Sequence, residues 1–195
     1  MGFGAPPMTA LVGLALFAVW VVAEGGIHLG RLYQPERPDR QRAGLTLLQG
    51  AYAASLLVGL LDAAVLHWTT LQPASLAVGA VGILLVTSGL VLRITARLQL
   101  GRHFSAFVQT SEGHRLVTTG VYSWVRHPAY TGFIGLLLGY PLCFESLASF
   151  AIAAGIGLPA LVYRIRAEEA ALVGWFGDDY RAYQRRTKRL IPGVW

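Results

Sequence analysis

Four stretches of this chain are apolar over lengths that only a lipid bilayer normally demands: 8–27, 44–68, 73–95 and 129–167. A helix rising 1.5 Å per residue needs about 20 apolar residues to cross a hydrocarbon core of about 30 Å. The first three stretches meet that length once each. The fourth is too long for one crossing and is interrupted by Pro141, Cys143, Glu145 and Ser146. It reads as a tight hairpin of two short helices, 129–144 and 146–163. The expected fold is therefore all-α, an integral membrane helical bundle of about five transmembrane helices with a helical segment after the last. Composition agrees: 54% of residues are apolar and 13% charged, against about 25% charged in soluble domains.

The positions of the cations test the five-span reading. Of 16 Lys and Arg residues, four (Arg31, Arg37, Arg40, Arg42) lie between spans one and two. Five (Arg93, Arg97, Arg102, Arg115, Arg126) lie at the end of span three or in the loop after it, and seven (Arg164, Arg166, Arg181, Arg185, Arg186, Lys188, Arg189) follow span five. Five spans place all of them on one side, which the positive-inside rule assigns to the cytoplasm. That puts the N-terminus outside, and the C-terminus and the polar loops inside. Four or six spans would scatter them. The net charge of +6 is thus a topology signal. Its arginines punctuate apolar runs and form no patch interleaved with stacking aromatics, so nucleic acid is not an expected partner. The single cysteine, Cys143, excludes an intrachain disulfide and multi-cysteine metal sites, and no metal site is expected. Residues 1–7 carry no Lys or Arg, so a cleaved signal peptide is not expected.

The chain reads as a single membrane domain, 1–195, in which residues 1–72 form two N-terminal spans and 73–195 a core. Small residues recur in the spans (Gly79, Gly82, Gly132, Gly135, Gly139, Gly155, Gly157), and helix-to-helix packing explains them. Asp62 and His67, near the end of span two, read as interfacial. After span five, Leu172, Trp175, Phe176, Tyr180 and Tyr183 recur at three- and four-residue spacings, the pattern of an amphipathic helix. Gly177-Asp178 marks an expected break within it.

Polar groups beyond the needs of topology gather in two segments, 109–130 and 163–180. In the first, Arg126-His127-Pro128 directly precedes span four, where proline suits the first helical turn. In the second, Arg164 stands four residues before Glu168, on the same helix face, and Glu169 follows. By residue type alone these are equally a helix start and an exposed ion pair, or an anion-holding Arg beside a hydroxyl-binding Glu.

The string His114-Arg-Leu116-Val117-Thr-Thr-Gly120-Val-Tyr122-Ser-Trp-Val-Arg126-His127-Pro128-Ala-Tyr130 resembles the cofactor motif of the isoprenylcysteine carboxyl methyltransferase family. Arg164-Ile-Arg-Ala-Glu168-Glu169, followed by Phe176-Gly177-Asp-Asp-Tyr180, resembles that family's second block. Both occur in order across an apolar hairpin, and the resemblance covers about 73–192. It implies a methyltransferase core over 73–195, with a cofactor motif at 109–130 and C-terminal helices at 164–190. It also implies S-adenosylmethionine as cofactor, lined by Gln109, His114, Arg115, Leu116, Val117, Tyr122, His127, Pro128, Ala129, Tyr130 and Glu168. Arg164 would meet the substrate carboxylate. The implied partners are a lipophilic or lipidated substrate and the surrounding lipids.

That chemistry suits these residue types. Methyl transfer is an in-line displacement that depends on holding the nucleophile about 3–3.5 Å from the methyl carbon. A carboxylate, with an ordinary pKa of about 4, is ionised at neutral pH and needs no general base. It does need a permanent cation to hold it in a low-dielectric site, and Arg suits that better than Lys. Three alternatives remain open on sequence. One is a phospholipid amine N-methyltransferase. Another is an NADPH-dependent reductase of the sterol-reductase type, whose Arg-His-Pro-x-Tyr segment usually has Asn where Ala129 stands. The last is a non-catalytic scaffold or transporter.

Overall fold

The computed structural model describes residues 7–28, 39–71, 75–101 and 116–193. Five helical rods account for most of them: α1 (Met8–His28), α2 (Asp39–Leu61), α3 (Leu76–Leu100), α4 (Pro128–Cys143) and α5 (Leu147–Arg186). Their boundaries follow the apolar stretches. A π turn, Asp62–Leu66, prolongs α2, and another, Ala153–Gly157, lies within α5. Among the described residues the only β pairings are two isolated bridges, Thr70 with Ser146 and Val125 with Lys188. The protein is an integral, multi-pass membrane protein. Segments 43–66, 76–100 and 147–186 hold helices long and apolar enough to cross a bilayer. The 16 residues of α4 span about 24 Å at 1.5 Å per residue, so the first arm of the hairpin falls short of a full hydrocarbon core, as its length in the sequence indicates.

In lipid, apolar side chains gain little by leaving their solvent for one another, so close packing of small residues has to hold helices together. The α3–α4 pair is built this way. A Cβ on Gly89 would lie 2.5 Å from the Gly132 carbonyl oxygen, and one on Gly135 would lie 2.6 Å from that of Leu85. The two backbones therefore touch, and neither position admits a side chain. Leu136, Leu137, Tyr140 and Phe144 of the hairpin are fully buried. An aromatic group fills the space between α1, α2 and α4: Phe17 lies 5.5 Å from Trp20, Trp20 5.5 Å from Tyr52, and Tyr52 5.1 Å from Phe133, centroid to centroid.

The up-and-down course brings the turns after α2 and α4 together at one end, beside the start of α1. The Leu71 amide donates to the Glu145 carbonyl (2.9 Å), and Leu147 to that of Thr69 (3.2 Å). Asp62, near the end of span two, is buried in the protein (2% exposed). Its carboxylate accepts from the Trp68 and Thr69 amides (2.9 and 3.1 Å), from the Ser146 hydroxyl (2.6 Å) and from the Thr69 hydroxyl. His67 adopts a left-handed backbone at the end of the π turn (φ 51°), which folds the chain back over Asp62. Glu145, also left-handed (φ 55°) and buried, accepts from the Ser75 amide (2.7 Å) and the Thr9 hydroxyl (3.4 Å). Ser75 in turn caps α3 through Val78.

The C-terminal part of α5 departs from one expectation. Gly177 has φ 53° and ψ −124°, so the break lies where Gly177-Asp178 suggested. It interrupts the helical register, and the five apolar residues do not share one buried face. Tyr180 and Tyr183 are buried, Leu172 and Phe176 half-buried, and Trp175 is 40% exposed.

Candidate active site

At the other end of the bundle, a short loop, the start of α4 and the C-terminal part of α5 meet. Leu116 and Val117 are half-buried and lead into a 3₁₀ turn at Gly120–Ser123. Gly120 takes φ 60°, and its amide neighbour Val121 donates to the Gln99 side chain at the end of α3 (3.0 Å). Tyr122 is buried. Its hydroxyl donates to the Ala96 carbonyl (3.3 Å), and its own carbonyl accepts from the Tyr183 hydroxyl (2.5 Å). Burial, reinforced by the negative charge of Glu168, pushes the Tyr122 phenol above its ordinary pKa, so it remains a neutral donor. Tyr122 thus ties the loop to α3 and to the tail.

Pro128 opens α4 in its first turn, where a missing N–H leaves nothing unsatisfied. His127 precedes it, 4% exposed. The Ala129 carbonyl accepts from an Arg93 guanidinium nitrogen (3.1 Å), and that guanidinium also lies over the Phe133 ring, 5.4 Å from its centroid. Arg93 is therefore more than a topology anchor: it reaches from α3 to hold the first turn of α4. One turn of helix brings Tyr130 round to face α5.

On α5, Arg164 is almost completely buried (1%). Glu168, one turn further, has its Oε2 3.7 Å from the Arg164 guanidinium and accepts from the Tyr130 hydroxyl at 2.6 Å. Glu168 is 22% exposed, whereas Glu169 is 5% exposed. The His127 ring stands between them, with Nδ1 3.9 Å from Glu168 and Nε2 3.3 Å from Glu169. Arg126 donates from Nε to Glu169 (2.9 Å), and Arg189 does so on the other carboxylate oxygen (2.8 Å). The i to i+4 pair expected from sequence is present, but as part of a buried network and not as an exposed ion pair.

Of the residues expected at a cofactor site, the structure brings His127, Pro128, Ala129, Tyr130, Arg164 and Glu168 into one cluster. Tyr122 is adjacent, with its hydroxyl committed to α3, and Leu116 and Val117 form the approach to the loop. Gln109, His114 and Arg115 lie outside the described residues. Sequence reasoning did not foresee Arg189, Arg93 or Tyr183. Arg189 and Arg93 were counted only as charges, and Tyr183 only as part of an apolar face. Among the described residues no group of three or more His, Cys, Asp or Glu side chains is arranged to hold a metal ion. The cluster holds an accessible carboxylate, a phenol and a buried guanidinium within a few ångströms, a set able to take a cationic, hydroxyl-bearing ligand beside an anionic one.

Comparison with known proteins gives this cluster a context. The model of the isoprenylcysteine carboxyl methyltransferase family matches residues 81–174. The protein-S-isoprenylcysteine O-methyltransferase of Xenopus laevis is 38% identical over 124 residues, which cover 58% of this chain and 40% of the relative. That of Schizosaccharomyces pombe is 37% identical over 106 residues (53% and 45%). The B form from Arabidopsis thaliana is 33% identical over 115 residues, 58% of each. The chain thus spans about half the length of the curated relatives it matches. A solved structure of the eukaryotic intramembrane Ras methyltransferase, an isoprenylcysteine carboxyl methyltransferase, superposes with a TM-score of 0.60 at 23% identity, covering 94% of this chain and 68% of that one. That likeness speaks for the shared fold. The matched segment runs from α3 through α4 to Glu168 and Glu169, and over it this chain is similar to the isoprenylcysteine carboxyl methyltransferase family.

Proposed function

We propose that the protein transfers a methyl group from S-adenosylmethionine to a carboxylate on a lipophilic or lipidated substrate, forming a methyl ester at the cytosolic face of the membrane. The observation that carries this reading is the meeting of the two sequence blocks at Glu168, 2.6 Å from Tyr130 and 3.7 Å from Arg164. The curated relatives compared above are named as O-methyltransferases, which favours transfer to oxygen. The sidedness rests on the 16 cations, all on one side of a five-span chain, and on the positive-inside rule.

The residues fit such a cofactor. S-adenosylmethionine would supply an electrophilic methyl group on a sulfonium centre. Glu168, partly open to solvent, offers an acceptor for ribose hydroxyls and a negative charge near the cation. Tyr130 fixes the rotamer of Glu168 by donating to one of its oxygens, leaving the other available. His127 closes the inner wall. Arg164 has five N–H donors in a planar fork, enough to hold Glu168 and, on another edge, the substrate carboxylate. Burial strengthens that attraction because little water competes. The carboxylate arrives ionised, so no residue has to take a proton, and positioning accounts for most of the rate gain. An amine acceptor would have to be deprotonated beside a permanent cation, which Arg164 makes a poor environment. Nothing among the relatives compared supports the reductase alternative.

Calorimetric titration of S-adenosylmethionine into the detergent-purified protein tests the assignment. Saturable binding is expected, weakened at least about tenfold in Glu168→Ala, equivalent to about 1.4 kcal/mol. Undiminished binding by that variant would overturn the site, and no binding by the wild type would overturn the cofactor.

A further inference from the structure

Residues 187–190, beyond the end of α5, lie across the start of α4 like a strap. The Arg126 amide donates to the Lys188 carbonyl (2.8 Å), and the His127 amide to that of Arg189 (3.0 Å). The Thr131 hydroxyl donates to the Leu190 carbonyl (2.9 Å). The Arg126 guanidinium reaches the carbonyls of Gln184 (3.2 Å) and Thr187. Val125 and Lys188 pair as in a parallel sheet. The strap therefore grips the short segment that precedes α4, 125–127, together with the first turn of α4.

Glu169 fastens this arrangement. One oxygen accepts from Arg126 and faces His127, and the other accepts from Arg189 on the strap. Its neighbour Glu168 points instead to Tyr130 and Arg164. Two acids adjacent on one helix are turned by about 100° from each other, and here that divergence separates two tasks. Glu168 faces the open cluster, while Glu169 is spent entirely on the strap and on the turn beneath it.

We propose that Glu169 and Arg189 are positioning residues for the methyl-donor site. By clasping the strap they hold the Arg126-His127-Pro128 turn, and so set His127 and Tyr130 against Glu168. This inference rests on the proposed donor site at Glu168. It adds residues outside the proposed donor contacts: Arg189 bonds Glu169 from the strap. A guanidinium Nε at 2.8 Å from a buried carboxylate is a charge-assisted bond of the strong kind. Because the strap covers only a few residues, its release is a local opening that leaves the bundle intact.

The test uses the full chain in detergent, with two measurements on each variant: calorimetric affinity for S-adenosylmethionine, and hydrogen exchange of the Arg126 and His127 amides. In Arg189→Ala the two amides are expected to exchange at least about tenfold faster, and donor binding to weaken by about tenfold, as misplacement of site groups does. Arg189→Lys keeps the charge and should restore affinity to within about threefold of wild type. Thr131→Val removes one strap bond without touching either acid. It serves if Arg189→Ala does not fold, and it should shift both measurements the same way by about threefold. Faster amide exchange with unchanged donor affinity would overturn the proposal, leaving the strap a fastener only. Unchanged exchange would overturn it as well, since the clasp would then not hold the turn. A wild-type protein that binds no donor would overturn the donor site and this inference together. Wild-type binding that Arg189→Ala leaves intact would overturn this inference alone.

Discussion

The two ends of the bundle each bury carboxylates, and they satisfy them in opposite ways. At the end formed by the turns after α2 and α4, the groups that donate to Asp62 and Glu145 are backbone amides and the hydroxyls of Thr9, Thr69 and Ser146. All of these are neutral. At the other end, Glu168 and Glu169 are held by Arg126, Arg164, Arg189, His127 and Tyr130. A carboxylate wrapped in neutral donors is a closed structural knot, with its lone pairs used and no counter-charge to share. Glu168, beside Arg164 and partly exposed, leaves charge and donors that a ligand can engage, whereas Glu169 is taken up by the strap. On the proposed reading the contrast divides the work: one end fastens the helices, and the other binds the methyl donor.

If that division holds, changes at the two ends should separate stability from donor binding. The largest effect is expected from Asp62→Ala, which strands several buried donors at once. At about 1–3 kcal/mol for each unsatisfied group, the loss should total at least about 3 kcal/mol, seen as a lower thermal midpoint in detergent, while whatever protein remains folded binds S-adenosylmethionine with wild-type affinity. Next, Glu168→Ala should weaken donor binding by about tenfold or more with little change in the midpoint. Tyr130→Phe removes a single bond to that carboxylate, worth about 1.5 kcal/mol at a charged partner. It should lower the midpoint by no more than that amount and weaken the donor less than tenfold. Smallest of all, Thr9→Val removes the α1 hydroxyl's bond to the Cys143 carbonyl (3.1 Å) and its long bond to Glu145 (3.4 Å), and should lower the midpoint by the equivalent of about 1 kcal/mol without altering affinity. An Asp62 or Thr9 variant that lost donor affinity while still folded would break the comparison.

Much of the fold was legible because membrane spans are written in long runs. Apolar length set the helices, and the cations between them set the up-and-down course. The glycines of α3 and α4 carried a second signal, fulfilled where the Gly89 and Gly132 backbones meet. The site was legible where its residues form contiguous blocks: Tyr130 and Glu168 were named from the two motifs, and the structure joins them. What escaped was pairing across long separations. No local pattern shows that Ser146, 84 residues away, will donate to Asp62. Arg189 looked like one more basic anchor because the strap that carries it has no periodicity, and its bond to Glu169 depends on how the chain turns after α5. The tail's apolar pattern is cut at Gly177, where the sequence marks a break, so Tyr180 and Tyr183 fall out of phase with Leu172 and Phe176.

The central claim is that the charged end carries out methyl transfer to a carboxylate. Its most direct test is incubation of the protein, in host membranes, with S-adenosylmethionine labelled in the methyl group. The account predicts label in a lipid or lipidated acceptor that mild base releases as methanol, and its loss in Arg164→Ala. Label that resists base, or that persists unchanged in Arg164→Ala, would contradict it.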